Sequence, residues 1–268
     1  MKIKAEGTIP EVIHVGECIY CGSKTNLTRE HIVPYGLGCP PEWVLHEASC
    51  QACAGITSAF ERDVLREYFR EPRATIGLPT YRKKDRPKSL HLQLVGGHES
   101  FAVSLPTGEC PTLIIMPHLK VPASVGDYGY ERGVMVVGCS LHSPSDMKAR
   151  LARLDADGFS VSVSGVLVSF ARMLAKIAYG MSVLQFGLHA FSEVFVLPCI
   201  LGQMDDAGRW VGCSQEPATV PEVDKVLHRI EVASSNSIAA VYIRLFANYK
   251  TPVYLVLVGS LRQANNTD

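Results

Sequence analysis

The chain has no surplus of charge in either direction: 26 Lys and Arg balance 26 Asp and Glu over 268 residues. Strong non-specific nucleic-acid binding usually leaves a basic excess, so the totals give that function class no support. No apolar run of about 18 residues goes uninterrupted, which argues against a membrane span. The first residues (Met-Lys-Ile-Lys-Ala-Glu-Gly) lack the apolar core of a signal peptide, so a cytoplasmic location is expected. There is no internal repeat, no low-complexity segment, no phosphate-loop pattern and no G-x-S-x-G elbow. With 47% apolar and 19% charged residues, what remains is an ordinary globular composition, enough for one large domain or two small ones.

Against those absences the nine cysteines stand out. Four form two C-x-x-C pairs, Cys18/Cys21 and Cys50/Cys53, which bracket 28 residues. Each pair sets two thiolates on one side of a tight turn. Four free thiols are the plain alternative, but two pairs of identical spacing predict a four-cysteine zinc site with Zn–S bonds of about 2.3 Å. A closed site of four thiolates leaves no open coordination position, so this zinc is structural. In a reducing compartment the remaining five (Cys39, Cys110, Cys139, Cys199, Cys213) are expected as buried free thiols.

Within the bracket, residues 22–29 are turn-rich and then extended, and residues 35–42 form a Gly/Pro loop. A strand over Glu11–Val15 precedes the first pair. From Gly55 a helical period takes over through Ile56, Phe60, Val64 and Tyr68, and this helix should end before Pro72. The motif thus lies on a β-hairpin, and the second cysteine pair opens the helix behind it.

Residues 71–89 read as a basic linker or arm. Arg73, Arg82, Lys83, Lys84, Arg86 and Lys88 face only Glu71 and Asp85, as a solvated loop or as phosphate contacts. Beyond it a companion region spans residues 90–268. Short strands are expected at Leu90–Val95, Phe101–Leu105, Leu113–Met116 and Val134–Val137, then a helix at Met147–Leu154 opened by Ser143-Pro144-Ser145-Asp146. A long helix, apolar on nearly every side, runs from Gly165 to about Leu188, with Arg172 and Lys176 at i, i+4 for phosphate or ordinary salt-bridge roles. A meander over Leu227–Val232, Ile238–Phe246 and Val253–Val258 closes the chain before a polar tail from Arg262. The fold class is α+β: a zinc-stapled N-terminal unit at residues 1–70, then antiparallel strands around a long apolar helix.

The order C-x-x-C, then Glu30-His31-Ile32-Val33-Pro34 with Gly36-Leu37-Gly38, then Ser49-Cys50-x-x-Cys53 opening a helix resembles the HNH endonucleases over about residues 16–70. That resemblance implies a ββα-metal fold that hydrolyses phosphodiester bonds in DNA. His31 would be the general base, and Glu30 would help hold Mg2+ or another divalent cation at the scissile phosphate. The sequence departs from the family pattern twice. Residues 43–49 contain no Asn, and Ala54 follows the last cysteine where a metal-ligating His or Asn is common. His46 is a candidate replacement for the Asn or else a plain loop histidine. Glu61 is the one carboxylate on the helix face of Ala54, two turns or about 10 Å along the axis, as a cation ligand or a surface carboxylate beside Arg62. Arg29, Arg73, Arg82, Lys83 and Lys84 are the candidate nucleic-acid contacts. The alternative function is a catalytically degenerate zinc module that binds DNA or a protein partner. The companion region is open to target recognition, sensing or formation of a homodimer.

Overall fold

A computed structural model describes residues 13–126, 133–143, 147–160, 166–215 and 226–263. The beginning of the expected first strand, the Pro144-Ser145-Asp146 helix start, the Gly165 helix start and the end of the polar tail lie outside them.

Strand β1 (Ile13–His14) leads into the first cysteine pair. Strands β2 (Leu27–His31) and β3 (Val44–Cys50) form an antiparallel hairpin, and β1 joins the free edge of β3 in parallel. Pro34, Pro40 and Pro41 keep the connecting loop out of regular strand, and it folds into two short 3-10 turns. Gly38 ends the first turn at φ +86°, a left-handed conformation that favours glycine.

Cys50 is the extended residue that starts helix α1 (Gln51–Asp63). The helix therefore opens four residues before the periodicity suggests, and its phase differs. Its inner face is Cys53, Thr57, Phe60 and then Val64, while Ile56 is exposed. The anchor is Cys53, which must face the other three thiols, and that fixes the rotation of the helix. One π turn (Val64–Tyr68) follows, its Phe69 N–H donating to the Val64 carbonyl at 2.9 Å. Helix α2 (Arg70–Ile76) then carries the chain past Pro72. The helix expected to stop before this proline restarts instead, because Pro72 falls in a first turn, where its missing N–H costs nothing. The stretch expected as a basic arm is thus partly helical.

Strands β4 (Ser89–Gly96) and β5 (Glu99–Pro106) make a hairpin, and β6 (Ile114–Leu119) pairs with β7 (Val136–His142). Helix α3 (Met147–Arg153) and the short β8 (Gly158–Phe159) come next, β8 on the other edge of β4. Leu92, Leu94 and Leu113 pack with Leu151 and Leu154 in a small separate cluster there.

Helix α4 (Leu167–Phe186) is the centre of the molecule. It is long and apolar enough to cross a membrane by length and composition, but most of it is buried inside the protein. After it come β9 (Phe191–Val194), α5 (Leu197–Ile200), β10 (Val211–Cys213), β11 (His228–Ser235), β12 (Ile238–Leu245) and β13 (Tyr254–Leu261). The expected meander is the β11-β12-β13 part of a five-stranded antiparallel sheet, with β10 and β9 added at β13. The class is mixed α+β, with five α-helices among the described residues.

One hydrophobic core joins residues 18–69, α4 and this sheet. The basic stretch at residues 71–89 therefore does not separate two cores. Gly180 of α4 lies against Ile32, where an added Cβ would come within 3.1 Å of the isoleucine side chain. The Tyr179 hydroxyl donates to the Ile19 carbonyl at 2.7 Å. The five other cysteines are all free: Cys110 and Cys199 are buried, Cys39 and Cys213 half-buried, and Cys139 exposed against expectation.

Candidate metal centre and arginine cleft

The Sγ atoms of Cys18, Cys21, Cys50 and Cys53 all lie within 4.8 Å of one another. Tetrahedral zinc with bonds of about 2.3 Å needs sulfurs roughly 3.8 Å apart, and Cys21 and Cys50 stand at 3.6 Å. The Cys18–Cys21 knuckle is closed by Gly22 N–H donating to the Cys18 carbonyl at 2.8 Å, with Gly22 at φ +74°. Burial and neighbouring thiols push the Cys53 thiol up. The Cys53 backbone N–H brings Cys50 down to about 7 despite desolvation. Four converging thiols of this kind can hold a metal ion such as zinc.

Behind the hairpin lies a buried cluster of charge. Lys176 reaches out of α4 and places Nζ 2.7 Å from Glu30 Oε1 and 2.7 Å from Glu61 Oε1. It also donates to the backbone carbonyl of His31 and, at 3.4 Å, to that of Ile32. The Glu61 oxygen meets the ammonium as an ion pair outside hydrogen-bond geometry. Burial alone would lower the Lys176 pKa, but the attraction of Glu30 and then Glu61 outweighs it, and the pKa is raised. Burial raises the Glu61 carboxyl against the pull of Lys176. The two carboxylates expected to share a divalent cation do converge, but the cation between them is the ammonium of Lys176. Glu61 is thus neither the surface carboxylate nor the free metal ligand of the two readings. Its position is legible only with the partner, 115 residues along the chain.

His31 is half-buried at the end of β2, opposite Val44. Desolvation, then the Lys176 charge, lowers its pKa, so its ring is neutral at pH 7. Its ring and that of Tyr35 are 5.9 Å apart at 66°, and Tyr81 stacks on Tyr35 at 4.3 Å and 21°.

Tyr81 stands in the wall of a cleft of about 760 Å³ that six arginines line: Arg62, Arg66, Arg70, Arg73, Arg82 and Arg86. Glu61 is the one carboxylate in that wall. Arg62, Arg66 and Arg70 are exposed, and none forms an ion pair with a described residue. They come from the end of α1, the π turn and the start of α2. Their spacing of four residues is visible in the sequence, where it reads as an ordinary solvated face.

Arg73 lines the same cleft but is a strut. Its Nε donates to the Gly36 carbonyl at 2.7 Å and its Nη1 to the Leu65 carbonyl at 2.8 Å. A Cβ on Gly36 would stand 2.8 Å from its Nη2. Arg86 similarly donates to the Leu78 carbonyl at 2.9 Å. Lys83 and Lys84 are exposed on a 3-10 turn and Arg29 is exposed on β2, all three outside the cleft wall. His46 sits on β3 and pairs with His14 of β1, with 5.2 Å between their rings. Arg172, offered as a phosphate contact, donates to the Ile200 carbonyl at 2.8 Å and covers the Phe60 ring.

No protein-family model, no curated protein and no solved structure matches this chain. What the site does must come from its own chemistry.

Proposed function

We propose that the protein binds nucleic acid, with zinc in the four-cysteine site stapling an HNH-like ββα unit (β2, β3 and α1) beside a cleft that grips the phosphodiester backbone. The observation that carries this reading is the convergence of six arginines on one cleft in a chain of zero net charge. Guanidinium groups suit this task because their planar donors match phosphate oxygens and stay charged at every relevant pH. Arg73 and Arg86 fix the walls, which leaves Arg62, Arg66 and Arg70 to meet phosphates.

Hydrolysis of the bound strand is the second reading, favoured by the position and neutrality of His31. His31 is linked to the cleft wall through Tyr35 and Tyr81, and a neutral imidazole can accept a proton from attacking water. Glu30 and Glu61 are both held by Lys176, so Mg2+ has no free carboxylate pair here. In this reading the cleft arginines stabilise the developing charge and activity does not respond to added magnesium.

Fluorescence anisotropy with a labelled oligonucleotide, titrated at several salt concentrations, tests the binding reading. The Arg62→Ala/Arg66→Ala/Arg70→Ala variant should flatten the plot of log K against log salt by about two to three units. An unchanged slope, or no salt-dependent binding by the natural chain, refutes it. Release of label that persists in His31→Ala removes the hydrolytic reading, and release that requires magnesium removes its metal-free form.

A further inference from the structure

The rim of the cleft holds a feature that phosphate binding does not use. Tyr81 is 76% exposed, the most exposed large hydrophobic side chain among the described residues. It is nonetheless held in place. One face of its ring lies flat on Tyr35, and Tyr35 sits on the 3-10 turn closed by Gly38 N–H donating to its carbonyl at 2.9 Å. Apart from Tyr35, no ring of a described residue is stacked on Tyr81, whose side chain is otherwise largely open to solvent. A fixed aromatic plane with one bare face, set in a wall of arginines, has the make-up of a base-stacking platform beside a backbone track. In a duplex the base faces are already stacked on one another except at its two ends, whereas a strand with unpaired bases offers them to Tyr81 along its length.

We propose that the cleft takes single-stranded nucleic acid, stacking one unpaired base on the free face of Tyr81 while Arg62, Arg66 and Arg70 hold the flanking phosphates. This deepens the binding reading above and rests on it. The stack also orients the bound strand relative to His31. Tyr35 lies between the two, stacked on Tyr81 at 4.3 Å and set at 66° to the His31 ring with 5.9 Å between centroids. If Tyr81 merely pinned its loop against Tyr35, its removal would lower stability and leave binding alone.

Anisotropy with four labelled or competing ligands separates these outcomes: a short thymidylate oligomer, a uridylate oligomer of the same length, a blunt duplex of that length, and inorganic polyphosphate, which has the charge but no bases. The single strands should bind at least tenfold more tightly than the duplex. The ratio of thymidylate to uridylate affinity shows whether DNA or RNA is preferred. Tyr81→Ala should lose about tenfold on the single strands and nothing on polyphosphate, with its salt slope unchanged. Tyr81→Trp should restore single-strand affinity, and its indole emission should be quenched when the oligomer binds. Equal binding of single strand and duplex, or full affinity in Tyr81→Ala while polyphosphate still binds, overturns the platform and spares the cleft. Failure of every ligand, polyphosphate included, overturns the cleft itself and the platform with it.

Discussion

Lys176 holds Glu30 across 2.7 Å in the interior of the protein, with its own side chain only 1% exposed. Glu61 shares the same ammonium, so one buried cation answers two carboxylates. Breaking such a cluster from one side is costly because it leaves charge unpaired in a poorly polarisable interior. Lys176→Met should therefore lower stability by about 3–5 kcal/mol in urea unfolding. Adding Glu30→Gln and Glu61→Gln to that variant should recover much of the loss. If the triple variant is no more stable than Lys176→Met, the cost lies in packing and not in charge.

The four thiols make a second prediction. Metal analysis of the purified protein should find about one zinc per chain, and a strong chelator should lower its melting temperature. Cys50→Ser and Cys53→Ser should each lose the metal and the fold of the hairpin. A metal-free protein that melts as the natural one does would dismiss the staple.

His228 makes the protein sensitive to acid. Its Nε2–H donates to the Leu37 carbonyl at 2.6 Å and its Nδ1 accepts from Phe246 N–H at 3.2 Å, so the buried ring is neutral. Burial brings its pKa down to about 4, below the roughly 6.5 of an unfolded histidine. The proton thus prefers the unfolded chain. The His228 contribution is complete above about pH 6.5 and is lost as pH falls toward 4, by up to about 3 kcal/mol. His228→Gln should flatten this part of the pH–stability curve. The same slope in that variant would shift the effect to other groups.

Arg73 separates structure from binding. Arg73→Met removes two charged-donor hydrogen bonds to backbone carbonyls and should cost about 2 kcal/mol or more of stability. Gly36→Ala should push the same guanidinium away and destabilise in the same direction. If Arg73 is a strut, the salt slope of oligonucleotide binding stays as it was in Arg73→Met. A drop of about one unit would return it to the phosphate contacts.

How far the sequence spoke depended on the distance between partners. The thiol cluster was legible because C-x-x-C spacing encodes a turn, and the turn encodes the convergence. The α4 helix and the β11-β12-β13 meander were legible from periodicity alone. Net charge was silent on the cleft, because a zero sum says nothing of where Arg62, Arg66 and Arg70 collect. Ile56 misled because Cys53, one of four converging thiols, sets the helix phase in place of the apolar residues. The pairing of Glu30 with Lys176 spans 146 positions, and no local pattern announces it. Nor does any pattern in residues 35–81 announce that Tyr35 and Tyr81 will stack.

Small units built round four cysteines are often thought of as portable parts that fold wherever they are spliced. Helix α4 denies this one such independence. Its Lys176 neutralises the hairpin, its Gly180 receives Ile32, and its Tyr179 ties down the first knuckle. A recombination event that cut the chain at residues 71–89 would release a fragment with two uncompensated carboxylates and a bare apolar flank.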